Sequence, residues 1–248
     1  MRKILGIGGV FFLVALLASG ALNAVQPLTG VPAEVIQLTQ FGPALGVAAV
    51  AILWPAAVRS ALAGALGAVR GAGGPALVAL ALLVVALCAT AYGVITGDPH
   101  FTSPADLGHP VALVLVAQLA GACGEEVGWR CLLQPLLRTR FGPLASSVVT
   151  GLLWGAWHVP VFGRGPVYAG GFLLAAVSLS VVLGLALDRV RSGRLLLAGG
   201  FHTVINIGLL LFMDEESGAA VPMVAFGAAS LAVALMVRLQ GARNAKVS

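Results

Sequence analysis

Three short stretches of this chain place ionisable and amide side chains in otherwise apolar surroundings. They are Gly124-Glu-Glu-Val-Gly-Trp-Arg130, Trp154-Gly-Ala-Trp-His-Val-Pro160 and Phe201-His-Thr-Val-Ile-Asn206. On a helix, Glu126 and Arg130 stand four residues apart and share a face, acid N-terminal to base, as a buried ion pair requires. Glu125 lies roughly 140° around the helix from Arg130, which leaves it as the carboxylate available for chemistry. His202 and Asn206 are also four apart and can address one atom. His158 comes from a separate segment and reaches the others only through tertiary packing.

A carboxylate and an imidazole flanking a water can remove its proton and make a hydroxide-like nucleophile. A second His and an Asn amide can donate hydrogen bonds to the oxyanion of a tetrahedral intermediate. Together these are the parts of a peptide hydrolase that forms no acyl-enzyme. A zinc alternative uses Glu125, His158 and His202 as ligands around a metal-bound water. No serine or cysteine nucleophile is placed for either scheme: Cys123 is near Glu125 in sequence but about 200° around the helix. The absence of an H-E-x-x-H pattern leans toward the metal-free form.

These residues must be held by elements of an unusual composition. The chain has 248 residues, 59% hydrophobic and 9% charged, with mean hydropathy +1.02. Ordinary soluble domains carry about a quarter charged residues, so a wetted globular surface is excluded, as is intrinsic disorder. The fold class expected is all-α: a polytopic membrane helix bundle, treated as a single domain over residues 1–248. A β-barrel would show alternating segments of about ten residues, and none is present. Cys88, Cys123 and Cys131 lie inside apolar runs and read as small apolar residues, without a disulfide framework.

A span needs roughly 20 apolar residues. Eight are expected, near Ile4–Val25, Phe41–Val58, Pro75–Ile95, Pro110–Leu137, Leu144–Phe162, Tyr168–Leu187, Leu195–Phe212 and Val221–Val237. Placing the N-terminus inside puts Arg2, Lys3, Arg59, Arg70, Arg138, Arg140, Arg189, Arg191, Arg194, Arg238, Arg243 and Lys246 in inner segments and only Arg164 outside. Acids gather on the other side at Glu34, Asp98, Asp106, Asp214, Glu215 and Glu216, with Asp188 inside. This bias predicts both termini in the cytoplasm, with the basic residues facing anionic lipid. They form no basic face for nucleic acid. Met1-Arg-Lys before an apolar run that ends at Ala21-Leu-Asn-Ala24 also fits a signal peptide. The first run is read as a retained helix, with cleavage as the alternative.

An ionised side chain in mid-membrane costs about 2.5–3.5 kcal/mol, so such groups usually face the bundle interior and work there. Among the eight expected spans, only the fourth, fifth and seventh hold titratable carboxylates or imidazoles in their middles. Counted at about 1.5 Å per residue from their inner ends, His202, Glu125 and His158 sit roughly 10, 18 and 24 Å deep. Tilted or broken helices are therefore required to gather them.

The three stretches, in order, resemble the motifs of the CAAX protease and bacteriocin-processing (CPBP) family of intramembrane proteases, which includes the type II CAAX prenyl endopeptidases. The matching patterns are Glu-Glu-x-x-x-Arg at 125–130, aromatic-x-x-x-His at 154–158 and His-x-x-x-Asn at 202–206. The resemblance covers residues 110–210 and implies an endopeptidase in which Glu125 and His158 activate water while His202 and Asn206 stabilise the oxyanion. Glu126 and Arg130 would brace the site. Trp154 stands where the family often has Phe and would still supply an aromatic wall. The family is commonly called a metalloprotease, and a metal-free, glutamate-driven mechanism is also argued for it. The resemblance further implies a hydrophobic or lipid-modified peptide substrate and a site open to the cytoplasmic side of a bacterial plasma membrane.

Two other functions use the same residues. Buried Glu and His also make proton relays in ion-coupled transporters, though polar groups confined to three helices and the lack of repeat symmetry speak against that. A catalytically idle relative would serve as a membrane scaffold or immunity protein. Taken singly, the residues also have plain structural readings: Glu126–Arg130 as a mutual pair, an isolated His as a helix bridge, and Trp129, Trp154 and Trp157 as packing.

Overall fold

The computed structural model describes residues 2–69, 73–97, 99–213 and 219–247, with side chains through residue 243. Arg70, Asp98, Asp214, Glu215 and Glu216, which entered the loop-charge reading, lie outside the described residues, as does the side chain of Lys246. The described residues are helical or loop, with no strand among them.

The helices are α1 (Arg2–Thr29), α2 (Gly42–Leu53), α3 (Pro55–Ala61), α4 (Gly73–Thr96), α5 (Val111–Gly128), α6 (Gln134–Arg138), α7 (Pro143–Trp157), α8 (Pro166–Leu187), α9 (Arg194–Phe212) and α10 (Ala220–Val247). A π-helical turn, Trp129–Leu133, joins α5 to α6, so that Val111–Arg138 is one long apolar stretch. Among the described residues six stretches are long and apolar enough to cross a membrane: α1, α4, Val111–Arg138, α8, α9 and Ala220–Arg243. The other two expected spans are broken. At Trp54 the backbone leaves the helix (φ −138°, ψ 64°). Pro55, which has no N–H and disfavours helical geometry in the residue before it, then restarts the chain as α3. Likewise α7 has 15 residues and stops at His158 (φ −77°, ψ 61°), two residues before Pro160. Six rather than eight are thus long enough as single helices.

The chain divides into two compact units, Met1–Gly74, Pro104–Phe141 and Arg189–Thr203 in one and Pro75–Ser103, Gly142–Asp188 and Val204–Ser248 in the other. The first is built on the glycines of α5. A Cβ on Gly124 would stand 3.0 Å from the Gln40 carbonyl, and one on Gly128 would stand 2.7 Å from the Phe11 ring. Such small residues let backbones approach closely where lipid gives no hydrophobic drive to helix association. Trp129 fills the next space, its ring edge-on to Phe11 at 5.1 Å. The start of α9 is tied to the turn after α3. Gly193 N–H donates to Gly64 O (2.9 Å), Leu195 N–H to Ala65 O (3.1 Å) and Arg194 Nη2 to Ala61 O (2.6 Å).

The second unit packs α7 and α10 against α8. Here a Cβ on Gly151 would meet the Val177 Cα at 2.7 Å, and one on Gly227 the Gly171 carbonyl at 2.6 Å. Ser180 Oγ donates to Ser147 O at 2.7 Å, satisfying a buried hydroxyl against the neighbouring helix.

Candidate active site

In the first unit Glu125, Glu126 and Arg130 are all buried on the long helix, and His202 is buried on α9. The Glu126 carboxylate bridges two cation-type groups. Its Oε2 lies 3.4 Å from Arg130 Nε, the pairing that the four-residue spacing predicts. Its Oε1 lies 2.9 Å from His202 Nδ1, a partner that spacing within one helix did not disclose. An ionised carboxylate only accepts hydrogen bonds, so His202 Nδ1–H is the donor. The other nitrogen, Nε2, then accepts when the ring is neutral and donates when the ring is imidazolium.

Local sequence accounts for this contact. Gly199, three residues before His202, has no side chain, and a Cβ there would stand 2.5 Å from Cys123 Sγ. Cys123 in turn is three residues before Glu126. The close approach of α9 to α5 at Gly199 therefore brings His202 within reach of Glu126. The π turn begins one residue after Gly128; such insertions shift the helix face that follows and are frequent at functional sites.

In the second unit His158 occupies the position where α7 ends. Its backbone N–H donates to Gly155 O (3.2 Å) rather than continuing the α-helical pattern. The Trp154 carbonyl released by that change lies 2.9 Å from His158 Nδ1. A carbonyl cannot donate, so Nδ1 carries the proton and the lone pair resides on Nε2. The half-buried ring packs edge-on to Trp157 (4.6 Å) and Trp154 (5.8 Å) and tilted against Phe172 (4.8 Å). Trp154 thus contributes a carbonyl as well as the expected aromatic wall. Phe172 was not read from the sequence, where nothing distinguishes it from other apolar residues of α8.

Glu126, Arg130 and His202 are brought together in one unit, with Glu125 beside them on the helix. Trp154 and His158 are brought together in the other, where Asn206 is half-buried one turn beyond His202 on α9. Among the described residues no three His, Cys, Asp or Glu side chains form a group that could hold a metal ion. The three ligands of the zinc version, Glu125, His158 and His202, are divided between the two units.

Residues 107–208 match the family described as type II CAAX prenyl endopeptidase Rce1-like. That segment contains all three motifs, so the resemblance read from them is borne out. Among curated proteins, Lysostaphin resistance protein A of Staphylococcus aureus strain Newman is 25% identical over 235 residues, covering 90% of this chain and 54% of the relative. The protein of the same name from strain USA300 matches with the same identity and coverage, 25%, 90% and 54%. The chain thus spans about half the length of the curated relatives it matches.

Proposed function

We propose that this protein is an intramembrane endopeptidase that hydrolyses a peptide bond with a water activated by side chains, without an acyl-enzyme. The observation that carries this reading is the buried carboxylate pair at 125–126: Glu126 is engaged by Arg130 and His202, and Glu125 stands beside it, buried on the same helix. Glu125 takes a proton from the water, which is also held by His158 Nε2. The oxygen adds to the scissile carbonyl, and the negative charge that develops on the carbonyl oxygen is received by the Asn206 amide and by His202 Nε2–H in the imidazolium form. Glu125 then returns its proton to the leaving amine as the C–N bond breaks. Glu126 holds His202 in orientation and offsets its charge in the protonated state.

The broken stretches 42–61 and 143–164 would complete an eight-crossing arrangement with both termini in the cytoplasm, because only when both are counted as crossings do Arg59 and Arg140 fall on the same side as the other basic loop residues. A bacterial plasma membrane, a cytoplasm-facing site and a hydrophobic or lipid-modified substrate segment go with that orientation. The test compares peptide termini in cells carrying the wild-type protein or Glu125→Gln. Neo-termini present only with wild type support the reading. Identical termini, with purified protein that moves protons or ions in liposomes, would replace it with a transporter.

A further inference from the structure

The loop between α1 and α2 is pinned by side chains that each find a backbone partner. Ser19 Oγ donates to Thr39 O at 2.8 Å. Gln26 donates through Nε2 to Val31 O (2.9 Å) and Ile36 O (3.1 Å) and accepts the Leu38 N–H through Oε1 at 2.6 Å. Gln118 Nε2 donates to Glu34 O at 3.3 Å. Gln40 stands apart from this pattern. It is only 6% exposed, and its Oε1 is buried with no hydrogen-bond partner among the described residues. A fully buried acceptor left unmade is costly and calls for a ligand.

The position of that oxygen says where the ligand would be. Gln40 Oε1 packs against Gly121 so closely that a Cβ there would clash with it, and the Gln40 main-chain carbonyl packs over Gly124. Gly121 is one turn N-terminal to Glu125, about 40° around the helix. Helical side chains lean toward the N-terminus and cover the preceding turn, so the Glu125 side chain leans toward the turn that Gln40 overlies.

We propose that the Gln40 carboxamide is a substrate-binding group that accepts a main-chain N–H of the peptide held against Glu125. A peptide entering a site without bulk water must find acceptors for its own N–H groups, and Gln40 presents one on a backbone fixed at both sides. The identity of the ligand rests on the endopeptidase reading, and the binding measurement below does not need cleavage.

The experiment uses the full chain in lipid nanodiscs and a fluorescently labelled leucine- and alanine-rich peptide. A matching series of esters replaces each N–H by oxygen in turn. Binding is measured to the Glu125→Gln protein with and without Gln40→Met, beside the thermal midpoint of each. The expected result is about tenfold weaker binding for Gln40→Met with no loss of thermal midpoint. One ester position costs the Gln40 protein the same factor and costs Gln40→Met nothing. Gln40→Glu, which keeps an acceptor, retains the ester penalty. Equal binding by Gln40→Met, or a flat ester profile with Gln40 in place, overturns the proposal and leaves the residue holding water at most. Should Gln40→Met fail to fold, Gln40→Asn is read in its place, since it withdraws the acceptor by one methylene. An ester penalty at Gln40 in a protein that cuts no peptide would refute the endopeptidase reading alone. Cleavage with a flat ester profile would refute Gln40 alone.

Discussion

His202 Nδ1 lies 2.9 Å from Glu126 Oε1, and the second oxygen of the same buried carboxylate faces Arg130 Nε at 3.4 Å. Removing one partner from a buried charged group typically costs about 3–5 kcal/mol, whereas replacing a whole pair with apolar residues is often neutral. Glu126→Gln is therefore expected to lower the thermal midpoint in detergent strongly and to abolish cleavage. Combining it with Arg130→Met should recover most of the stability. Cleavage should stay lost, because His202 still lacks its carboxylate. Recovery of both would mean that Glu126 serves only to neutralise Arg130.

The neighbouring acid should behave in the opposite way. Glu125→Gln is isosteric and leaves the Glu126 contacts in place, so folding is expected to be unchanged. Loss of a general base typically costs about 10²–10⁴ in rate. Single-turnover cleavage set beside thermal unfolding separates the two adjacent residues: one substitution removes activity alone, the other removes activity and stability together. Full cleavage by Glu125→Gln would take the base role away from it.

The helical runs were legible in the sequence because a membrane imposes length and hydrophobicity on every span, and six of those expected are full helices. The breaks at Trp54 and His158 were partly legible through Pro55 and Pro160. The π turn at 129–133 was not, since no residue type marks one. For the site, spacing could show that Glu126 reaches Arg130 but not that it has a second oxygen to give. That requires knowing where α9 passes, which depends on a missing side chain at Gly199. Gln40 escaped for a different reason: a neutral amide near the start of a span carries no charge to flag it. Only its burial without a partner does so.

The rings around His158 act on its orientation. Phe172 and Trp157 lie 4.8 and 4.6 Å from the imidazole centroid and hold it with Nδ1 at the Trp154 carbonyl. Phe172→Leu keeps the site apolar but removes the flat surface. It is expected to lower kcat by about tenfold with KM little changed, as misorientation of a reacting group does. Phe172→Tyr should retain most of the rate. If Phe172→Leu raises KM instead, the ring contacts substrate and does not position His158.

In the proposed mechanism side chains alone activate the water, so cleavage is expected to survive prolonged chelation. Elemental analysis of the chelated, active protein then shows whether any divalent ion remains at stoichiometric level. Loss of activity restored by added zinc would reverse this expectation and bring back Glu125, His158 and His202 as ligands.

The contact between Glu126 and His202 depends on α9 meeting α5 without a side chain at 199. Gly199→Ala puts a Cβ 2.5 Å from Cys123 Sγ, too close for either atom to stay. Overpacking of this kind costs typically 1–3 kcal/mol, and the displaced helix carries His202 away from Glu126. Both stability and cleavage should fall. Cys123→Ala removes the sulfur, after which the nearest atoms of residue 123 would be its N at 3.5 Å and Cα at 3.6 Å, ordinary packing distances. The double substitution should therefore recover both properties, a coupling that two independent sites would not show. A silent Gly199→Ala would mean that the thiol swings aside at little cost and that the approach at 199 does not set the distance between His202 and Glu126.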